Sequence, residues 1–152
     1  MAHDLEISLI NSRLYSLKFE VKPGVSPKGK ISVDLAITNK YKYDYNNKSI
    51  VVLISVDVAD GGMPFTLKLE YEGFFKLNKR VPKKEIEPIA KINCSAILFP
   101  FAREAVAEIT RRSGFHPLLL PVINFAKSAE GDKTKYAMKS DENPPPQPAT
   151  EK

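Results

Sequence analysis

One cysteine, two histidines and no tryptophan leave this 152-residue chain short of the side chains on which several function classes depend. A single thiol, Cys94, closes no internal disulfide, and with His3 and His116 as the only imidazoles a structural zinc site has too few ligands. No run of about 18 apolar residues occurs, which removes a helical membrane span. The opening Met1-Ala-His-Asp-Leu-Glu6 lacks the basic-then-apolar pattern of a secretory signal, so a cytoplasmic protein is expected. Catalytic pairings are equally scarce. His116 stands between Phe115 and Pro117, and Cys94 has no histidine near it in sequence, so both read as packing or surface residues. Lys22-Pro-Gly24 and Asp60-Gly-Gly62 read as turns, because no phosphate-loop spacing surrounds them. Neither an enzyme, a metal site nor a cofactor is expected.

What the chain does have is enough apolar material, 43% of residues, for one globular core. Its formal charge of +5 belongs to the body. From Ala126 onward, five lysines (Lys127, Lys133, Lys135, Lys139, Lys152) balance five acids (Glu130, Asp132, Asp141, Glu142, Glu151). The densest basic cluster, Lys76, Lys79, Arg80, Lys83 and Lys84, contains no aromatic residue for base stacking and reads as a solvated linker. Lys40-Tyr-Lys-Tyr-Asp-Tyr45 does interleave charge with rings, but strand alternation accounts for it, which argues against nucleic-acid binding.

Four segments carry strand signals. Leu5 to Val21 alternates with a change of phase near Asn11-Ser12-Arg13, which predicts a bulge. Lys30 to Tyr43 alternates cleanly through Ile31, Val33, Leu35 and Ile37, and Tyr45-Asn-Asn-Lys48 closes a hairpin onto Ser49 to Ala59. Met63 to Leu77 is the fourth, with Gly73 permitting a kink before Phe74-Phe75. Short turns make this an antiparallel sheet, apolar on one face.

The period then changes. Val81 to Lys91, interrupted by Pro82 and Pro88, predicts a short helical turn or linker. From Asn93, read as an N-cap, to Arg112, apolar residues recur at three-and-four spacing, and Gly114 stands where a C-cap belongs. Pro100 inside that pattern predicts a kink near Ala96, and Glu108 can pair with Arg112. Pro117 and Pro121 make Phe115 to Phe125 an extended apolar loop. The expected fold is α+β: a four-stranded antiparallel sheet, a long kinked helix and an apolar crossover loop within a domain of residues 1–126. Residues 127–152, charged and ending in Asn143-Pro-Pro-Pro-Gln-Pro148, form a disordered tail with Tyr136-Ala-Met138 as its one sticky point.

Two stretches carry a resemblance: Ile97-Leu-Phe-Pro-Phe-Ala-Arg-Glu104, and, at matching separation, Gly114-Phe-His-Pro-Leu-Leu-Leu-Pro-Val-Ile-Asn-Phe125. Together they resemble the SecB family of tetrameric protein-export chaperones. Gly73-Phe-Phe75 is similar to the end of the family's fourth strand, so the likeness runs from Leu5 to Phe125. It implies an ATP-independent activity that holds unfolded or precursor polypeptides in apolar grooves, and self-assembly as a dimer of dimers. The groove residues implied are Ile31, Val33 and Leu35 on the second strand, Phe74 and Phe75 after the fourth, Phe99 on the helix, and Phe115, Leu118 and Leu120 in the loop. It further implies docking of the translocation ATPase SecA on outer-face carboxylates; Glu20 is one such position, whereas Ser16 and Lys68 stand at others. A family offshoot that binds one partner, such as an antitoxin, is the alternative. After Phe125 the family's terminal helix is expected to be short or absent, because Ala126-Lys-Ser-Ala-Glu-Gly131 starts a helix poorly.

Overall fold

A computed structural model describes residues 4–24, 30–59, 63–127 and 134–139, with residues 30–33, 59 and 134–139 described as backbone. Among the described residues five strands, β1 (Ile7–Val21), β2 (Lys30–Asp44), β3 (Ser49–Ala59), β4 (Phe65–Leu77) and β5 (Thr134–Lys139), form one antiparallel sheet in the order β1-β4-β3-β2-β5. β2, β3 and β4 follow one another as a meander, and β1 lies beside β4 in Greek-key order.

The imperfect alternation of β1 has a geometric cause. Its pairing with β4 slips between Leu9 and Asn11 and again between Leu14 and Ser16, so Ile10 and Tyr15 are extra residues. Each bulge resets the phase, which puts Ile7, Leu9, Leu14, Leu17 and Phe19 on one face although their spacing is irregular. The β2–β3 hairpin turns through Lys48, whose φ of 54° is left-handed, while the Asp44 carboxylate accepts the Asn47 N–H at 3.1 Å and Nδ2 at 2.7 Å. Those two bonds hold the Asp44 carboxyl below its usual range.

Ile50, Val52, Ile54, Val56 and Val58 of β3 and Phe65, Leu67, Leu69, Phe75 and Leu77 of β4 are buried on one face. Over them lies a long helix, Ser95–Arg112, which buries Leu98, Phe99, Ala102 and Val106. Gly73 serves a close approach of helix to sheet. A Cβ there would stand 2.8 Å from Leu98 Cδ1 and 2.9 Å from Phe75 Cε1, so the absent side chain is what lets the helix approach β4.

The helical region starts earlier than the sequence suggests, and Asn93 is not its cap. A 3-10 turn at Lys83–Glu85, one α-turn at Ile86–Pro88 and π-helical turns at Ile89–Cys94 run into the long helix, and Cys94 already has helical dihedrals. Pro82 and Pro88 fit because a first helical turn needs no N–H partner. The widened turns face β2. There Asn39 Nδ2 donates to the Lys91 carbonyl at 3.0 Å and to Ser95 Oγ at 2.8 Å, and Ser95 donates to the Ala90 carbonyl at 3.2 Å. Pro100 lies inside the long helix, downstream of these irregular turns.

The tail differs from expectation. Thr134–Lys139, within the stretch read as disordered, pairs with Lys30–Leu35 as β5. β2 extends past the end of β3, since their pairing begins at Asp34, and this overhang offers backbone groups that a short alternating segment can satisfy. The rest of the expected disordered tail lies outside the described residues.

Candidate functional site

The long helix ends in a Schellman motif. Gly114 takes a φ of 90°, its N–H donates to the Arg111 carbonyl at 3.1 Å, and the Phe115 N–H donates to the Thr110 carbonyl at 3.1 Å. The chain is thereby sent back along the helix it has just left. Thr110, fully buried, fixes the return: its Oγ1 accepts the Leu118 N–H at 2.8 Å and donates to the Val106 carbonyl at 2.9 Å. One helical segment further back, Arg103 Nε donates to the Leu120 carbonyl at 2.8 Å. Phe125 closes against Phe99 edge-to-face, with ring centroids 5.6 Å apart. The loop thus retraces the helix from Thr110 to Phe99.

Between these anchors the loop is extended, and extended chain alternates. Leu118 and Leu120 are each 1% exposed and Leu119 between them is 61% exposed; the alternation ends at Pro121, after which Val122 is 84% exposed. Phe115, half-buried, stands over Phe65 at 5.2 Å, and Phe65 in turn stacks on Phe19 at 5.1 Å. The loop therefore caps the core with one set of residues and presents another outward.

A second apolar surface lies on the β1 side. Leu14 pairs in register with Tyr71, whose ring stacks on Phe101 of the helix at 6.5 Å, and Leu14, Leu17, Ile97 and Phe101 are all exposed. β1 borders the sheet, and no strand covers its outer edge among the described residues.

The nine expected groove residues do not form one surface. Leu35, Phe75, Phe99, Leu118 and Leu120 are buried core residues. Phe74 is on the other face of the sheet from Phe75, as successive strand residues must be, with the Arg13 guanidinium 5.4 Å from its ring and Arg13 Nε paired to Glu72 at 2.7 Å. Ile31 and Val33 lie on the β2 overhang opposite Met138 and Tyr136 of β5. Phe115 alone combines a place in the loop with partial exposure. The outward residues Leu119, Val122, Ile97 and Phe101 were missed, although period-two alternation through the loop would have separated Leu119 from Leu118 and Leu120. Thr110 and Arg103, which hold the loop, carry no motif of their own.

Glu20 is exposed on the outer face, opposite Thr66. Around it the charges are mixed: Lys18 faces Lys68 directly, Lys68 reaches Asp57 at 3.8 Å, and Glu70 pairs in register with Ser16 while accepting from Ser55 at 3.2 Å. Much of the basic cluster has structural work. Lys76 donates to the Asn47 carbonyl at 2.6 Å, Lys79 pairs with Asp4, and the Arg80 guanidinium lies 5.7 Å from the Tyr45 ring. Tyr43, part of the interleaved segment, spends its hydroxyl on Val81, donating to the carbonyl at 2.7 Å and accepting the N–H at 2.9 Å. Burial pushes the Cys94 thiol up to about 12, so it stays protonated and is a poor nucleophile. Among the described residues no three His, Cys, Asp or Glu side chains converge to hold a metal, and no helix is long and apolar enough to cross a membrane.

Comparison with known proteins gives one answer at the level of family. The family model described as preprotein translocase subunit SecB matches residues 5–130. A protein-export protein SecB of Paramagnetospirillum magneticum is 37% identical over 105 residues, covering 68% of this chain and 64% of that protein. Another, from Afipia carboxidovorans, is 28% identical over 151 residues, 92% of this chain and 90% of the relative. Among solved structures, a SecB-like chaperone of Mycobacterium tuberculosis in complex with a ChAD peptide from the HigA1 antitoxin superposes with a TM-score of 0.65 at 22% identity, over 77% of this chain and 90% of that one.

Proposed function

The chain belongs to the SecB family, and from that premise we propose that it is an ATP-independent chaperone of the bacterial cytoplasm that binds unfolded polypeptides and keeps them competent for export. The observation that carries this reading is the crossover loop. It is pinned by its main chain to Thr110 and Arg103, so Leu119 and Val122 cannot turn inward to join the core that Leu118 and Leu120 already fill. Apolar side chains held outward on a fixed backbone form a surface for other apolar chain, since each Å² removed from water is worth about 25 cal/mol. Phe115, Leu119 and Val122 are its contact residues, and the loop's own Leu118 and Leu120 tie it to the core. Such contacts discriminate little between side chains, which suits capture of many clients.

Self-association as a dimer of dimers supplies the second half of the reading. The open β1 edge offers one interface, and Leu14, Leu17, Ile97 and Phe101 offer another. Solution mass tests this: Phe101→Asp should lower the oligomer, and an unchanged mass would remove the helix face from the interface. Delivery to SecA through Glu20 is a further step, and Lys18 and Lys68 nearby weaken the field an acidic docking surface needs.

The holding activity is tested with an unfolded client prone to aggregate. Leu119→Ser with Val122→Ser should lower protection without lowering stability, since both residues are exposed. A second reading, capture of one dedicated partner, is favoured by the antitoxin peptide on the mycobacterial neighbour. Competition separates the two: unrelated unfolded chains displace one another from a generalist and leave a dedicated complex intact.

A further inference from the structure

From Ile109 to Ala129 the chain carries Arg111, Arg112 and Lys127 and no acid. That stretch brackets the outward loop residues, so the rim of the apolar surface has one sign of charge. Arg103 adds a fourth cation at its middle. Its Nε is fixed by the Leu120 carbonyl at 2.8 Å, a neutral acceptor, so the guanidinium is positioned without being neutralised. The two terminal nitrogens of Arg103 have no partner among the described residues. A planar fork with open donors in a fixed place can take a carboxylate through two parallel bonds. Arg103 and Thr110, seven residues apart, share the helix face along which the loop returns, whereas Glu104 is turned about 100° from it. Arg111 and Arg112 close the helix where the loop begins. Glu108 accepts from both, each at 2.8 Å, and one carboxylate between two guanidiniums leaves a positive charge over. Lys127, exposed two residues past Phe125, lies at the far end of the loop, where Phe125 meets Phe99.

We propose that the crossover loop selects apolar segments flanked by acidic residues, with Arg103 receiving a client carboxylate and Arg111, Arg112 and Lys127 supplying the field at the two ends. The inference rests on the holding activity for there being an unfolded client, and adds which clients are held best. Leu119 and Val122 distinguish one apolar side chain from another poorly. Charge at the rim distinguishes the flanks, because basic flanks are repelled where acidic ones are attracted. The surplus of +5 on the body acts in the same direction at longer range and speeds encounter with acidic chain.

The test uses the full-length chain and three labelled peptides that share one apolar core of leucine, valine and phenylalanine and differ in flanks of glutamate, glutamine or lysine. At low ionic strength the affinities should fall in that order, glutamate flanks binding at least about tenfold more tightly than lysine flanks, and about 0.5 M salt should close most of the gap. Arg103→Gln keeps an amide N–H for the Leu120 carbonyl and removes the charge. It should weaken the glutamate-flanked peptide about two- to fivefold and strengthen the lysine-flanked one, whereas a merely structural role would lower both alike. Lys127→Gln, whose side chain takes no part in the loop's hydrogen bonds, should shift the two peptides in the same opposed directions, so the reading does not depend on Arg103→Gln folding. Equal affinities, no binding by any of the three peptides, tighter binding of the lysine flanks, or variants that move both charged peptides together would overturn the proposal; an aggregating client still protected would then leave the chaperone reading standing. Charge-ordered peptide binding, beside an unfolded client that neither binds nor is kept from aggregating, would support the site and remove the chaperone reading instead.

Discussion

Replacing Thr110 by valine isolates the bond that holds the crossover loop. The side chains are nearly the same shape, so the change removes a hydroxyl from a fully buried site without opening a cavity. The Val106 carbonyl loses only a secondary donor. The Leu118 N–H, buried and 2.8 Å from Oγ1, loses its acceptor, and an orphaned buried donor costs about 1–3 kcal/mol. Thr110→Ser keeps the hydroxyl and deletes one methyl, worth about 0.8 kcal/mol. Urea denaturation should therefore rank wild type above Thr110→Ser above Thr110→Val, with the valine variant lower by about 1–3 kcal/mol. Local opening should precede global unfolding, so the Leu118 amide should exchange markedly faster in Thr110→Val under native conditions. A valine variant within about 0.5 kcal/mol of wild type, with Leu118 protection unchanged, would refute the account of how the loop is fixed.

Three further outcomes are expected. Gly73→Ala should destabilise by about 1–3 kcal/mol by denaturation, and adding Leu98→Ala should give a double variant less unstable than the sum of the two singles, because the second change vacates the space the first requires. Asn39→Leu should cost about 1–3 kcal/mol by leaving the Lys91 carbonyl unsatisfied and Ser95 without its donor, with faster exchange in the Ile89–Ser95 turns as the readout. Native Cys94 should resist a thiol reagent at pH 8 until denaturant is added. Below the ordinary value of 9.0 both folded and unfolded states keep the thiol proton; as pH rises from there toward about 12 only the unfolded chain ionises, so this contribution to stability is lost, and Cys94→Ala should flatten that part of the pH profile.

The elements most legible in the sequence were those whose pattern is local. Ile50 through Val58 alternate without interruption, and the hairpin at Tyr45–Lys48 and the glycine after the long helix carry standard turn chemistry. β1 was legible as a strand with a phase fault, and pairing with β4 was needed to show two bulges rather than one. The helix start was obscured because Pro82 and Pro88 break helices in general but not in a first turn. At Gly73 the sequence points to backbone freedom, and only packing adds the second reason, the missing Cβ under Leu98. β5 was illegible because its partner, the overhang of β2, exists only once β3 ends early. In the candidate site, Phe115–Phe125 was legible as apolar and extended, but which residues face out depends on Thr110 and Arg103, whose bonds span eight and seventeen residues. Hydrophobicity alone ranks Leu118, Leu119 and Leu120 equally; the fold separates them.

The holding activity proposed for the outward loop surface can be observed on a client. Its most direct test is light scattering of an aggregating unfolded client with and without a stoichiometric excess of the protein, without ATP, wild type beside Leu119→Ser with Val122→Ser. The wild type should suppress scattering and slow client refolding, and the double variant, equally stable, should lose most of that effect. Scattering and refolding unaffected by saturating wild-type protein would contradict it.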